Sequence, residues 1–358
     1  MSFQSEVPFQ LPMLPPKASL EEVHYDRTLL LARTELAELK GFAHALPNPM
    51  LLMSPAILRE AVASSNIENI NTTMVDALQM QLFPEVQQRQ AEKEVFRYRE
   101  AALWGFSQLK ELPISTRLIL GIQKQLLPES YGFRTTQNRI VNSATGEILY
   151  TPPQVTDIPE LMGNLEKYIH LNTPETDPLV KAAITHYQFE AIHPFGDGNG
   201  RTGRILMVLQ LIHEGILNFP ILYISGYINQ HRSEYYRLLR EVSSANNWAP
   251  FILYMLKGYY EQARSTKETL YAVMELYSRA KEDLRKKLPK MYSADLVDIL
   301  FSYPIITPTT LAKKLGIHRR TAARYLENLK THHFLTDKIV GKFHLYINKA
   351  LIAQFSGK

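Results

Sequence analysis

The most informative absence from this chain of 358 residues is cysteine, of which it has none. Disulfides and thiolate metal sites are therefore excluded, and a reducing cytosol suits the composition. No run of about 18 apolar residues is present, so no membrane span is expected. The N-terminus, MSFQSEVPFQLPMLPP, lacks a basic stretch followed by an apolar one, which argues against a secretion signal. We therefore expect a cytoplasmic protein that has no membrane segment.

Neither positive nor negative charge is strongly in excess in this chain. The net charge of +5 is weak evidence for nucleic-acid binding, because the location of positive charge matters more than its sum. With 45% hydrophobic and 21% charged residues, the chain can bury an ordinary core. Its length predicts two or three domains of roughly 100–200 residues each.

The most informative stretch is FEAIHPFGDGNGRTGR, residues 189–204. Residues 177–192 have apolar side chains at helical spacing, and Pro194 disfavours the helical conformation at His193, so a helix should end there. Glycines at 196, 198 and 200 allow a tight turn, and helical periodicity resumes from about Asn199. The sequence therefore predicts a helix, a glycine loop and a second helix.

The start of the second helix has the features of an anion site. Backbone N–H groups at a helix N-terminus are unpaired and lie at the positive end of the helix dipole, and Gly198 and Gly200 would let phosphate oxygens approach them. Arg201 and Arg204 are three positions apart, so both guanidinium groups can reach one polyphosphate. The spacing thus predicts a polyphosphate site.

Two further side chains in this stretch suit the chemistry of phosphoryl transfer. Asp197 is the one carboxylate placed to hold a hard cation such as Mg²⁺ against phosphates. His193 can accept a proton from a hydroxyl near neutral pH, given an unperturbed pKa of about 6.5. A lone histidine at a helix end is more often a capping or core residue, so only the combination is specific. A Walker loop and an EF-hand are excluded, because Gly-Lys-Ser/Thr is absent and position twelve from Asp197 is Val208.

As a whole, HPFGDGNGRTGR resembles the signature of the Fic family in every defined position. The resemblance implies that His193 deprotonates a hydroxyl of a target protein, which attacks the α-phosphate of ATP and becomes modified with AMP. It assigns Asp197 to magnesium. Doc-like relatives that transfer phosphate alone have Lys where this chain has Gly200, which favours nucleotidyl transfer here. The implied nucleotide site comprises Gly198, Asn199, Gly200, Arg201, Thr202, Gly203, Arg204, Tyr235 and Tyr236.

The two tyrosines stand where family members place tyrosines beside the adenine, and core packing is the alternative for them. Relatives often have Asn seven positions after the second tyrosine, whereas this chain has Ser243.

A second motif lies nearer the N-terminus. Ser54 and Pro55 indicate the start of a helix on which Ser64 and Glu68, four apart, share a face, followed by Asn69. Taken alone this trio would be a solvated face, but it resembles the inhibitory motif of one class of Fic proteins. The resemblance implies that Glu68 pairs with Arg204 and prevents productive binding of the γ-phosphate.

Residues 132–153 contain two short β-prone stretches around the turn-rich segment 142–146, which predicts a hairpin. It is similar to the Fic flap, whose exposed edge aligns a target segment by main-chain pairing. The target contacts would then be Ile148, Leu149, Tyr150 and Thr151.

Residues 291–358 resemble a winged helix-turn-helix. Arg319, Arg320 and Arg324 would face outward from its recognition helix, ready for DNA phosphates or guanine edges, although many such modules serve only protein contacts. Residues 264–288 predict a connecting helix whose apolar stripe could also serve a homodimer; the stripe comprises Leu270, Val273, Tyr277, Ala280 and Leu284.

We therefore expect a mostly α protein: a Fic-type helical core with a β-hairpin flap, an N-terminal helical segment and a C-terminal winged helix-turn-helix. The expected domains are residues 1–95 with the inhibitory helix, the core 96–262, a linker helix 263–290 and the winged helix 291–358. The expected function is adenylylation of a Tyr, Ser or Thr hydroxyl on a target protein or on the chain itself, using ATP and Mg²⁺. Alternatives are removal of AMP, transfer of UMP, GMP or phosphocholine, and a DNA-binding regulator with a ligand-sensing core.

Overall fold

A computed structural model describes residues 3–17, 26–45, 49–83, 87–142, 145–172, 176–341 and 343–355. The capping signal expected at Ser19 and Glu22 lies outside the described residues. Among the described helices none is long and apolar enough to cross a membrane.

The described part of the chain is mostly helical, as the sequence predicts. Its helices are α1 Asp26–Ala45, α2 Pro49–Ile67, α3 Met74–Met80, α4 Gln90–Gln108, α5 Thr116–Leu126, α6 Ile158–His170, α7 Pro178–Ile192, α8 Asn199–His213, α9 Ile224–Gln230, α10 Arg232–Ala245, α11 Trp248–Lys287, α12 Ala294–Ser302, α13 Pro308–Leu315, α14 Arg319–Thr331 and α15 Lys349–Phe355. The strands are β1 Ile140–Val141, β2 Ile148–Tyr150, β3 Ile305–Ile306, β4 Thr336–Val340 and β5 Phe343–Ile347.

Helices α7 and α8 form the centre of the core. Nearly every residue of α7 is buried, and a helix that is apolar on all sides lies inside a protein. Helix α7 packs against α6, α8 and α11, while α8 also contacts α4 and α5. Asp177 caps α7 by accepting a hydrogen bond from the Leu179 N–H at 2.8 Å, and Pro178 follows as the first helical residue. The glycine loop that joins the two helices is thus held by buried elements on both sides.

The predicted hairpin is present. Strands β1 and β2 are antiparallel, with Ile140 opposite Tyr150 and Val141 opposite Ile148. The register shifts between these two pairs, so the hairpin has a bulge beside the central helices.

Helix α2 begins earlier than the sequence indicates. Its first residue is Pro49 rather than Pro55, which lies inside the helix. Proline tolerates helical dihedrals but removes one backbone hydrogen bond, so α2 continues through Pro55 at the cost of that bond. Helix α2 packs against α4 and α9 of the core and against α12 and α15 of the C-terminal unit.

The C-terminal unit has the predicted order of helices α12, α13 and α14 followed by a hairpin of β4 and β5. Strand β3 adds to this hairpin and gives the order β3-β5-β4. Gly316 ends α13 in the left-handed conformation, at φ +66°. Arg319, Arg320 and Arg324 on α14 are exposed.

The connecting helix differs from the expectation in length. Helix α11 has 40 residues, and the boundary expected at residue 262 falls inside it. Leu270, Val273 and Leu284 of its apolar stripe are buried by the chain's own helices, and the Tyr277 hydroxyl donates to Asp298 at 2.6 Å. Three of the five stripe residues are therefore covered within the chain, Tyr277 and Ala280 are partly buried, and a homodimer through this helix stays a prediction.

Candidate active site

The loop between α7 and α8 places His193 at a helix end. Helix α7 stops at Ile192, and His193 adopts a left-handed conformation with φ +49°, which is uncommon for a residue with a side chain. The Asn199 side chain closes the loop, because its amide donates to the Phe195 carbonyl and accepts from the Phe195 N–H, both at 2.9 Å. Asn199 thus shapes the loop by its side chain, and its backbone N–H remains without an acceptor among the described residues.

The first turn of α8 has the free donors of an anion site. Among the described residues, the N–H groups of Asn199, Gly200 and Arg201 find no acceptor. A Cβ atom at Gly200 would lie 2.4 Å from a Glu68 carboxylate oxygen and 2.8 Å from Nη1 of Arg204. A side chain at this position would therefore have to displace the Glu68 carboxylate or the Arg204 guanidinium.

A cavity of about 460 Å³ opens beside this turn. Its wall is formed by α7, α10, the hairpin and the end of α2. The lining residues are Glu68, Ile140, Leu149, Tyr150, Tyr187, Glu190, Ala191, His193, Gly200, Arg204, Tyr235, Tyr236, Arg237, Leu239, Arg240 and Ser243.

The imidazole of His193 is half-buried in the cavity wall, and its Nδ1 atom is fully buried. Burial lowers the pKa of His193 to about 4, although the Glu190 carbonyl and the Glu68 carboxylate both act to raise it. The ring is therefore neutral at physiological pH, and a neutral imidazole can accept a proton.

Arg204 is buried and is held by α2 along one side of its guanidinium group. Its Nε donates to the Ser64 hydroxyl at 2.8 Å, and its Nη2 donates to the Ser64 carbonyl at 2.9 Å and to the Glu68 carboxylate at 2.8 Å. Burial alone would raise the pKa of Glu68, but the charge and hydrogen bond of Arg204 outweigh it and hold that pKa below its usual value. Nη1 of Arg204 has no hydrogen bond to any described residue, so one side of the fork remains available to a ligand.

Asn69, the third residue of the expected inhibitory motif, does not reach Arg204. It adopts a left-handed conformation at φ +62°, just after the end of α2, and its side-chain oxygen accepts from Arg232 at 3.2 Å. Its position indicates a role in ending the helix behind Glu68.

Glu94 of α4 holds Arg201 in place, because the Glu94 carboxylate accepts a hydrogen bond from Nη1 of Arg201 at 2.9 Å. Arg201 is buried, and its Nη2 lies 3.6 Å from the Asp197 carboxylate. The Asp197 side chain is 70% exposed and accepts the Gly198 N–H at 2.6 Å. A single exposed carboxylate beside an anion site fits Mg²⁺, which is commonly held by one or two carboxylates together with substrate phosphates.

The two tyrosines expected beside the adenine both line the cavity. The Tyr235 ring is buried and its hydroxyl lies 2.8 Å from Nε2 of His186, whereas Tyr236 is 42% exposed. Ser243, which stands in place of the asparagine common in relatives, lies 2.9 Å from the Tyr187 hydroxyl. Tyr187 and Ser243 therefore supply a polar pair at this end of the cavity.

Thr202 and Gly203 are buried in α8 and, like Gly198, Asn199 and Arg201, do not line the cavity itself. A Cβ atom at Gly203 would lie 2.4 Å from the Glu190 carboxylate and 2.9 Å from the Phe189 ring. Close packing against α7 thus accounts for Gly203, and the assignment of both residues to the nucleotide site stays a prediction.

The four expected flap contacts are in different environments. Ile148 and Leu149 are half-buried, and Leu149 lines the cavity. The Tyr150 hydroxyl donates to the Ala191 carbonyl at 2.8 Å, two residues before His193. Thr151 is 1% exposed, because the N-terminal segment 3–17 covers it. A target can therefore reach Thr151 only if that segment moves.

Four residues of the site escaped the sequence analysis: Glu94, Arg134, Tyr187 and Glu190. Tyr187 and Glu190 lie six and three positions before His193, so helical spacing along α7 could have identified them. Glu190 has a buried carboxylate oxygen without a partner in the described structure, and burial raises its pKa to about 8. No local pattern points to Glu94 or Arg134, which act across long sequence separations.

Three family models match the chain. One, described as Fic/DOC family, covers residues 113–211, and one described as Fic/DOC family N-terminal covers residues 27–107. The third, described as protein adenylyltransferase SoFic-like, C-terminal domain, covers residues 276–351. Together these matches extend over the core, α2 and the C-terminal unit.

The curated relatives include two proteins named protein adenylyltransferase Fic. The protein from Drosophila grimshawi is 30% identical over 197 residues, which are 53% of this chain and 35% of the relative. The protein from Drosophila melanogaster is 32% identical over 147 residues, which are 41% of this chain and 26% of the relative. The chain thus spans about a quarter to a third of the length of these relatives.

Solved structures share the fold. A Fic family protein from Desulfovibrio desulfuricans G20 has a TM-score of 0.56 at 19% identity, and the match covers 93% of this chain and 98% of that one. Fic-1 from C. elegans has a TM-score of 0.53 at 22% identity, covering 69% of this chain and 74% of that one. At these identities the similarity concerns the fold alone.

Arg134 yields a prediction about the construction of the site. Its Nε donates to the His193 carbonyl at 3.0 Å, its Nη2 donates to the Pro153 carbonyl, and its N–H donates to the Pro194 carbonyl at 2.9 Å.

Replacing Arg134 with Met leaves two buried carbonyls unpaired, so we expect the free energy of unfolding to fall by about 2–5 kcal/mol. Urea denaturation measures this change. Arg117→Met, at an exposed position of α5, is the matched control and should change it by less than about 0.5 kcal/mol. Equal stability of the two variants would contradict the role given to Arg134.

Proposed function

Since the chain belongs to the Fic/DOC family, we propose that it is a nucleotidyltransferase that adenylylates a protein. It would transfer AMP from ATP to a Tyr, Ser or Thr hydroxyl of a target protein or of the chain itself. The observation that carries the proposal is the neutral imidazole of His193 in a cavity that is also lined by Gly200 and Arg204, at the first turn of α8 where N–H groups are free. A proton acceptor beside an anion site is the pairing that phosphoryl-type transfer requires.

The proposed reaction moves a proton to His193 and AMP to the target hydroxyl. The imidazole of His193 accepts the proton of the incoming hydroxyl, and the hydroxyl oxygen forms a bond to the α-phosphorus of ATP. The bond between that phosphorus and the oxygen bridging to the β-phosphate breaks, and pyrophosphate leaves. The N–H groups of Asn199 and Gly200, with Arg201 and Arg204, stabilise the negative charge. Asp197 would hold Mg²⁺, which neutralises phosphate charge when bound.

The remaining parts of the cavity would position the nucleoside and the target. Tyr235 and Tyr236 would flank the adenine, with Tyr187 and Ser243 as further polar contacts. Ile148, Leu149 and Tyr150 would align the target segment along the flap. We retain the division into residues 1–95, 96–262, 263–290 and 291–358 as functional parts, although α11 runs across the boundary at 262.

We propose that the chain restrains itself through Glu68. A carboxylate on Nη2 of Arg204 occupies part of the fork that a γ-phosphate would use, and charge-assisted contacts to one guanidinium compete directly. The 34% exposure of Glu68 allows its side chain to rotate away without moving α2. The same carboxylate, ionised beside the cavity, could instead orient water for removal of AMP, which is the alternative direction of this site.

The C-terminal unit supports a second function, DNA binding. Arg319, Arg320 and Arg324 lie exposed on α14, and none forms an ion pair with a described residue. Three unpaired cations on the helix that follows a helix-turn are the arrangement that contacts phosphates and guanine edges. In this case the core would act as a ligand sensor for a regulator.

Replacing Glu68 with Gly tests the proposed activity and its restraint together. Loss of one charge-assisted, partly exposed contact should raise self-modification about tenfold or more. Intact-mass spectrometry after incubation with Mg²⁺ and each of ATP, UTP, GTP and CDP-choline identifies the group transferred. The double variant Glu68→Gly/His193→Ala should lower the rate by on the order of 10²–10⁴.

The outcomes of this experiment differ between the candidates. A mass gain of one AMP supports adenylylation, and a gain of one phosphate would indicate kinase-like transfer. If the variant is folded but gains no mass with any nucleotide, the proposed transferase activity is rejected. An unchanged rate of self-modification in Glu68→Gly would contradict the proposed restraint by Glu68 but not the proposed activity.

The pKa of His193 can be measured without nucleotide. Because burial favours the neutral ring, its NMR signal, assigned with His193→Ala, should not titrate between pH 5.5 and 7.5 and should shift only as the pH falls toward about 4. An exposed histidine titrates near pH 6.5. A midpoint near 6.5 for His193 would contradict its burial as a neutral base.

The triple variant Arg319→Ala/Arg320→Ala/Arg324→Ala tests the second function. If these residues contact phosphates, the slope of log affinity for short duplex DNA against log salt should decrease by about three. Lys290→Ala, which removes an exposed charge in the turn before α12, is the control and should leave the affinity unchanged. Absence of salt-dependent binding by the unmodified chain would exclude the DNA function.

A further inference from the structure

The N-terminal segment 3–9, which we term the cap, is bonded to the flap by its backbone. The Phe9 N–H donates to the Thr151 carbonyl at 3.0 Å, and the Thr151 hydroxyl donates to the Ser5 carbonyl at 2.6 Å. Thr151 follows directly after β2. The cap thus makes one main-chain hydrogen bond and one side-chain hydrogen bond with the residue that follows the flap strand, and its own residues 4–7 form a turn in which the Val7 N–H donates to the Gln4 carbonyl at 3.3 Å.

The cap also covers the aromatic side chain of the flap. The Phe3 ring is stacked on Tyr150 at 6.4 Å with an interplanar angle of 9°, and the Phe9 ring lies 5.7 Å from Tyr150 and 5.9 Å from Phe3. Tyr150 itself lines the cavity that contains His193. The three rings therefore connect the cap directly to the wall of the active site.

A separate part of the segment anchors it. Leu11 and Leu14 are buried, and the Asn164 side chain both accepts from the Leu14 N–H at 2.8 Å and donates to the Leu14 carbonyl at 3.0 Å. The Gln188 amide donates to the Pro12 carbonyl at 2.9 Å. The anchor keeps the cap close to the flap even when the cap is detached, which gives it a high effective concentration there.

The cap is weakly held by comparison. Gln4, Glu6 and Gln10 are exposed and Val7 is 51% exposed, so its contacts with the flap are limited to two hydrogen bonds and two phenyl rings. Detaching the cap exposes two phenyl rings that are only partly buried, whereas detaching the anchor would expose two buried leucines. The segment therefore consists of an anchor that is held against the core and a cap that can be displaced.

We propose that the cap occupies, within the same chain, the docking surface for the target, and that a target must displace it. The proposal rests on the proposed function of the flap. The surface formed by Tyr150 and Thr151 accepts a backbone N–H at the Thr151 carbonyl and an aromatic side chain against the tyrosine ring. The target class is thus a protein that presents a peptide segment with an aromatic residue where Phe3 or Phe9 now lies.

The double variant Phe3→Ala/Phe9→Ala removes both rings and retains the anchor, and Val7→Ala is the matched control in the same segment. The probe is a fluorescein-labelled peptide FQSEVPFQ, which copies residues 3–10, with AQSEVPAQ as its control. Displacement of a tethered competitor is no longer needed in the double variant, so it should bind the probe at least about tenfold more tightly than the unmodified chain or Val7→Ala. The control peptide AQSEVPAQ should bind the unmodified chain, the double variant and Val7→Ala with the same affinity.

A second measurement follows the flap without a ligand. Hydrogen exchange at residues 148–151 should be faster in the double variant than in Val7→Ala, because the cap no longer protects the flap backbone. Equal exchange, or equal binding of FQSEVPFQ to all three chains, would overturn the proposal. Circular dichroism melting of the double variant verifies that the core remains folded.

Catalysis distinguishes this inference from the proposed function. In the Glu68→Gly background, the double variant should modify FQSEVPYQ, which carries a tyrosine hydroxyl, with a lower KM for the peptide and an unchanged KM for ATP. A higher KM for the peptide would mean that the cap supports docking, and would overturn the inference. Tighter binding of the probe together with no transfer of any nucleotide would leave the docking surface intact and would reject adenylylation instead.

Discussion

The ion pair between Arg204 and Glu68 is the contact on which the rest of this structure depends. A buried guanidinium is expensive unless its hydrogen bonds and charge are compensated, and α2 compensates it through Ser64 and Glu68. The same contact holds α2 against the start of α8 and places a carboxylate next to a phosphate site. In the function proposed above, this one interaction both compensates the buried charge of Arg204 and restrains the reaction.

Helix α2 also connects the site to the C-terminal unit. One turn before Ser64, the Glu60 carboxylate is buried, accepting from the Tyr98 hydroxyl at 3.2 Å and from the Ser225 N–H at 3.1 Å. The same helix packs against α12 and α15, and the Phe83 ring, after α3, lies 4.7 Å from the Phe343 ring of β5. Helix α2, which ends one residue before Glu68, is therefore held by contacts with both the core and the C-terminal unit.

Arg134 has the corresponding role on the other side of the cavity. By donating to the carbonyls of His193 and Pro153, it joins the catalytic loop to the base of the flap. Tyr150 reinforces this link through its bond to Ala191. The proposed base, the flap and the cap on the flap are consequently parts of one hydrogen-bonded assembly, and a target that binds the flap is placed relative to His193 by the same bonds.

Local features of the sequence were sufficient for the elements of the site. Pro194 ends α7 because a residue before proline avoids the helical conformation, Gly198 and Gly200 permit the turn, and the turn-rich segment between two β-prone stretches specifies the hairpin. These effects act within a few residues, so they can be read from the chain. The fold class, including the order of elements in the C-terminal unit, followed from the same periodicities and from the family resemblance.

The tertiary structure decided what each element contacts. The distance of 136 positions between Glu68 and Arg204 was bridged by the motif resemblance, but the bonds of Glu94 to Arg201 and of Arg134 to His193 follow no local rule. Packing buries Leu270, Val273 and Leu284 of the apolar stripe on α11, and the cap covers Thr151, which the sequence had left as a free flap contact. Likewise, the sequence identifies His193 as a base with an ordinary pKa, whereas burial lowers that pKa to about 4. Spacing along a chain determines local conformation, but burial and the pairing of charges depend on residues that only folding brings together.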